Sequence, residues 1–133
     1  MDENKSKAIA DVCRKFLDQL AAEQKGILAA LIASTDGFNL AAISSEISEE
    51  RLAAMASSMH ALGDQIASET KLKKCQDVLI EADMGKVLMV NIPNAKEDLI
   101  LTVVANEAMT FGMLLYACRE CAEKISTALA AGA

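Results

Sequence analysis

The chain has 133 residues, of which 53 % are hydrophobic and 24 % charged; this fits one folded domain with a real core and excludes a disordered tail or a pair of domains. Nineteen acidic against thirteen basic residues give a net charge of −6, which makes nucleic acid and anionic membrane poor partners. The charged opening Met1-Asp-Glu-Asn-Lys-Ser-Lys7 has no signal-peptide core, and the longest purely apolar run, Ile27 to Ala33, is far below a membrane span, so a cytoplasmic protein with reduced cysteines and no membrane insertion is expected.

From Asn4 to about Glu23, the apolar residues Ile9, Val12, Cys13, Phe16, Leu17 and Leu20 recur at three- and four-residue steps, predicting an amphipathic helix. Gly26 is expected to close it in the left-handed conformation. Two apolar runs, 27–34 and 38–43, are joined by Ser34-Thr35-Asp36-Gly37, and Asp-Gly between such runs predicts a hairpin. Ser44 to Ser48 is polar, and Ser48 followed by Glu49 and Glu50 predicts the cap and first turn of a second helix reaching about Thr70. Its large residues Leu52, Met55, Met59, Leu62 and Ile66 form a stripe, with the small residues Ala53, Ala56, Gly63 and Ala67 to one side. The expectation is that the large stripe packs on a sheet and the small side meets a neighbouring helix.

Strands are predicted over Cys75–Ala82, Lys86–Ile92 and Leu99–Ala105, separated by turns at Asp83-Met84-Gly85 and Pro93-Asn94. Val78 and Ile80 alternate with Asp77 and Glu81, but Leu79 breaks the polar series, so a face of this strand is expected to meet a protein partner. Leu99-Ile-Leu-Thr-Val-Val-Ala105 reads as a central strand covered on both faces. Phe111, Leu114, Leu115, Cys118, Cys121, Ala122, Ile125 and Leu129 stripe a last helix over about 110–130. The order is α-β-β-α-β-β-β-α, with no repeat or long linker.

Cys118-Arg-Glu-Cys121 has the spacing of many zinc and redox sites, yet both sulfurs fall on the apolar stripe of a helix and no second pair is evident. Buried structural thiols are therefore expected. The alternative is a small-molecule- or metal-sensing module using Cys118 and Cys121, with Cys13 and Cys75 completing a tetrad only if the fold gathers them. His60, the single histidine, has Asp64 at i+4 as an orienting carboxylate but no nucleophile motif, so it reads as an interface or surface residue. No phosphate-binding glycine loop occurs, and no catalytic residue, metal or cofactor is expected. Met55 and Met59 are the methionines expected to touch a partner.

The segment Gly26-Ile-Leu-Ala-Ala-Leu-Ile-Ala-Ser-Thr-Asp-Gly-Phe-Asn-Leu-Ala41 resembles the first hairpin of the Roadblock/dynein light chain family. The Ala-rich helix Leu52 to Ile66, the strand Gln76-Asp-Val-Leu-Ile-Glu-Ala82, the run Met84-Gly-Lys-Val-Leu-Met-Val90 and the closing Leu99 to Ala105 extend the likeness over about residues 8–129 of a single domain, 1–133. The resemblance implies an α/β sandwich of profilin-like/Roadblock fold, with a five-stranded, mainly antiparallel sheet between helices. It also implies a non-enzymatic homodimer, paired through third strands and second helices, that binds a small Ras-like GTPase as a scaffold or as an activating partner in trans. Carried onto this chain, the dimer or partner surface comprises Leu52, Ala53, Met55, Ala56, Met59, His60, Gly63, Ala67, Gln76, Val78, Leu79 and Ile80. An edge strand carrying Val78, Leu79 and Ile80 agrees, because such an edge is a hazard unless paired. Arg51 and Arg119 are candidates for an arginine supplied to a GTPase, though each sits among acids and reads more simply as a solvated helix residue. The extended first helix makes the chain more like bacterial or archaeal members than the minimal dynein-associated ones.

Overall fold

Eight elements form in the expected order: α1 (Glu3–Glu23), β1 (Ile27–Ser34), β2 (Asn39–Ile43), α2 (Glu49–Glu69), β3 (Asp77–Ala82), β4 (Gly85–Ile92), β5 (Leu99–Asn106) and α3 (Phe111–Ala130). The structure, a computed structural model, describes residues 3–43, 46–94 and 96–132, without the side chains of Glu3 and Lys5. Ser44 and Ser45, the start of the expected polar connection, lie outside the described residues, as do Met1, Asp2, Ala95 and Ala133.

Local chemistry sets the boundaries. Ser48 Oγ accepts from the Arg51 amide at 3.4 Å, and Thr110 Oγ1 accepts from the Met113 amide at 3.2 Å, so each caps a helix whose first amides have no partner within the helix. Gly37 takes a φ of +91° in the β1–β2 turn, where its amide donates to Ser34 O at 3.0 Å. Gly26 does not take the expected left-handed conformation. What it provides is clearance, because a Cβ there would lie 2.4 Å from Met109 Cγ. The third strand begins at Asp77 rather than Cys75. The Cys75 amide donates instead to Asp64 Oδ1 at 3.0 Å and its carbonyl accepts from Asn91 Nδ2 at 3.2 Å, which occupies the backbone groups a ladder would use.

The sheet is antiparallel throughout, in the order β2-β1-β5-β4-β3. The apolar strand β5 is central, as its sequence requires. One face, with Ala30, Ile32, Leu88, Val90, Ile92, Leu101 and Val103, joins the apolar sides of α1 and α3 in the main core. Among the described residues the other face is covered by α2 alone, through Leu31, Ala33, Met89 and Ile100. The two sheet edges differ. β2 offers five residues, and the register of its pairing with β1 slips between Ile32 and Ala33; β3 is regular from Asp77 to Ala82 and has no strand beyond it.

The second helix sits the opposite way round from the sequence expectation. Ala53 and Ala56 are fully buried against the sheet and Ala67 nearly so, while Met55, Leu62 and Ile66 are 56 %, 48 % and 57 % exposed. Gly63 also faces inward: a Cβ there would lie 2.9 Å from Cys75 Sγ, with Val78 next nearest. The cause is volume. Leu31, Met89 and Ile100 already fill the layer from the sheet side, leaving room for methyl groups but not for a second row of large side chains. Ala53, Ala56 and Ala67 are therefore buried within the subunit and Gly63 is half-buried against Cys75, where the sequence pattern had put all four on an outward side.

Candidate interaction surface

Helix periodicity puts Met55, Leu62 and Ile66 on one stripe of α2, and the inward turn of the small residues leaves that stripe in solvent. Gly63 lies against Val78 and Cys75, so the C-terminal half of α2 runs beside β3. The helix that carries the outward stripe thus lies beside the free strand edge. Along that edge Ile80 is 39 % exposed, Val78 and Leu79 are half-buried and Gln76 is exposed. Leu52 and Met59 are half-buried at the helix margin, Leu52 packed against Leu31, Ala33 and Ala53, and Met59 against Ala56, Met89 and Ile100. Among the predicted surface residues, then, Met55, Gln76, Val78, Leu79 and Ile80 lie at the surface or its edge, with Leu52 and Met59 at its rim. Leu62 and Ile66 belong to it as well, although the sequence pattern placed them on the sheet.

His60 lies half-buried on α2 at the margin of this surface. Its Nε2 lies 3.4 Å from Asp64 Oδ2, while the other oxygen of Asp64 holds the Cys75 amide, so the pair ties α2 to the lead-in of β3. A histidine, an aspartate and a cysteine in sequence could suggest a nucleophile. The thiol is in the wrong state for that, since burial first, then Asp64 and Asp77, push the Cys75 pKa up and disfavour the thiolate.

The other thiols lie in the α1–α3 core. Burial pushes Cys13 up to about 12, with Cys121 adding to it, and Cys118 up to about 12, with Cys121 and Asp77 adding. Cys121 rises to about 11, chiefly by burial, with Lys124 opposing. Among the described residues no three of His, Cys, Asp and Glu come together in a way that could hold a metal ion, so the cysteine-based alternative finds no metal site. Because these thiols resist ionisation only when folded, their stabilising effect is complete below the ordinary thiol value of 9.0 and is lost as pH rises toward 11 to 12. The urea midpoint is expected to fall steadily between pH 9 and 11, and Cys118→Ala should flatten that slope. A midpoint independent of pH in this range would show that these thiols ionise equally in both states.

Of the two arginine candidates, Arg119 forms an ion pair with Asp77 and so ties α3 to the first residue of the edge strand. Arg51 is exposed in the first turn of α2. A recess of about 380 Å³ nearby is lined by Lys74, Asp77, Asn91, Arg119 and Ser126 among others. Several of its polar groups are engaged: Lys74 with Asp98, Arg119 with Asp77, Asn91 with Cys75 O and Ser126 with Pro93 O.

No helix among the described residues is long and apolar enough to cross a membrane. No curated protein sequence matches the chain significantly. Among solved structures, Myxococcus xanthus MglB superposes with a TM-score of 0.77 at 12 % identity, covering 98 % of this chain and 94 % of that one. A Roadblock/LC7 domain from Streptomyces avermitilis gives 0.78 at 18 % identity, over 87 % and 96 % of the two chains. Acanthamoeba castellanii profilin II gives 0.63 at 15 % identity, over 86 % and 96 %. These likenesses are of fold, and they place the sandwich in the Roadblock and profilin-like group. The sequence itself matches the Roadblock/LC7 domain over residues 14–105, and on that match the chain belongs to the Roadblock/LC7 family.

Proposed function

We propose that this protein is a cytoplasmic, homodimeric and non-enzymatic regulator or scaffold that binds a small Ras-like GTPase and changes its nucleotide state or its localisation. One observation carries the reading: the apolar stripe Met55, Leu62 and Ile66 stands in solvent beside an unpaired, regular strand edge. A second copy satisfies both features at once. Antiparallel pairing of two β3 edges joins the five-stranded sheets into one and brings the two α2 stripes together on a single face. The surface spanning both helices then offers a two-sided platform for a globular partner. The family membership supports the GTPase as that partner, and the lack of a phosphate-binding glycine loop in this chain assigns the nucleotide to it. A binding protein of this kind acts by preferring one nucleotide state over the other.

Two measurements test the reading together. Native mass spectrometry should give about twice 14.1 kDa. Titration of a small Ras-like GTPase encoded near this gene, loaded with GDP or with a non-hydrolysable GTP analogue, should show different affinities for the two states. A monomer would remove the platform. Absence of binding in both states would remove the GTPase.

A further inference from the structure

The dimer reading above leaves open how the two strands align, and the sequence of β3 narrows this to one register. A two-fold axis that sets two β3 edges antiparallel with both α2 helices on one face must stand perpendicular to the sheet. Directly opposed residues in an antiparallel pair point to the same face, so this axis passes through a residue and not between two. Val78 packs on the α2 side and Leu79 on the α1–α3 side; by alternation Ile80 joins Val78, while Asp77 and Glu81 join Leu79.

Three axes remain. Through Leu79, Leu79 meets itself, Val78 meets the partner subunit's Ile80, and Asp77 meets the partner subunit's Glu81. Through Ile80, Leu79 faces the partner subunit's Glu81 and Val78 faces the partner subunit's Ala82. Through Val78, Asp77 faces the partner subunit's Leu79, and Ile80 is left opposite the partner subunit's Gln76, ahead of the strand. Only the first matches Val78, Leu79 and Ile80 with one another. Its cost is two carboxylates opposed at each end, a destabilising arrangement by itself.

Arg119 lies where that cost arises. Its guanidinium reaches Asp77 from α3, on the face to which Asp77 and Glu81 both point, and its side chain remains 57 % exposed. A guanidinium has five donors in a planar fork, enough for a second carboxylate. We propose that the two β3 strands pair about an axis through Leu79, and that Arg119 bridges Asp77 to the partner subunit's Glu81.

The test is a rescue measured on the dimer dissociation constant of the full chain. Arg119→Ala should weaken the dimer by roughly fivefold, because the symmetry counts each cross-strand charge term twice. Adding Glu81→Lys to that variant should restore it, since the new lysine faces Asp77 of the partner. In the register centred on Ile80 the same lysine would face Leu79, and rescue would fail. A second measurement does not depend on Arg119: with Cys75→Ser in the background, Leu79→Cys should oxidise to a covalent dimer faster than Ile80→Cys. A dimer that shows no rescue and the reverse oxidation order overturns this register while leaving the dimer intact. A wild-type protein that is monomeric in the same experiment overturns the dimer reading itself.

Discussion

Replacing Ala56 with aspartate is expected to abolish the folded subunit. Ala56 is fully buried between α2 and the sheet, where Met89 and Ile100 are its buried neighbours and Met59, Val78 and Val87 pack around them. None of these offers a side-chain hydrogen-bond donor. A carboxylate placed there costs several kcal/mol if ionised, and the protonated acid still buries polar atoms without partners. The added volume costs about 1–3 kcal/mol more in a layer already filled. Domains of this size are stable by about 5–15 kcal/mol, so a combined loss of about 5 kcal/mol or more removes most of that margin. Circular dichroism on heating should show no cooperative transition, or one lowered by tens of degrees. An Ala56→Asp protein that melts like the wild type would mean that α2 presents its small side outward after all.

Leu62→Asp, further along the same helix, is expected to do the reverse. The side chain is 48 % exposed on the outer stripe, so the isolated subunit loses little beyond about 0.5 kcal/mol of helix propensity. In the proposed symmetric pair the substitution is made twice, and it would put two carboxylates where that pairing sets two apolar side chains. Central apolar contacts of an interface are worth about 2 kcal/mol or more each, so two copies weaken association by about 4 kcal/mol, or roughly a thousandfold. Native mass spectrometry at micromolar concentration should then find 14.1 kDa where the wild type gives about twice that, with the circular dichroism spectrum unchanged. A dimer that survives Leu62→Asp would place the contact elsewhere on the molecule.

This contrast marks where the sequence could be read and where it could not. Ser48 before two glutamates, Asp36-Gly37 between apolar runs, and Leu99 to Ala105, apolar but for Thr102, each act through chemistry within a few residues, and the helix cap, the hairpin and the central strand formed where those signals stood. The orientation of α2 is not such a signal. Both sides of that helix are apolar, and what decides between them is how much space Leu31, Met89 and Ile100 leave, which depends on β1, β4 and β5, none of them next to α2 in the chain. The same is true of Cys75, whose backbone is diverted from the ladder by Asp64 and Asn91 across the fold. A step of small residues at 53, 56, 63 and 67 was a usable clue to close approach, but it fits a sheet as well as a second helix. Gly26 shows the converse, a residue correctly marked as special whose purpose, clearance for Met109, depends on a loop some eighty positions away.

The inequality between the two ends of the sheet limits how far copies can accumulate. A molecule with two equivalent free borders could add copies at each and grow into a filament. Here β2 is short, with an irregular pairing, while β3 is regular along its whole length. In the proposed dimer, joining β3 to β3 would use up the regular border of each copy and leave β2 outermost on both sides. Such an assembly would be self-terminating at two copies.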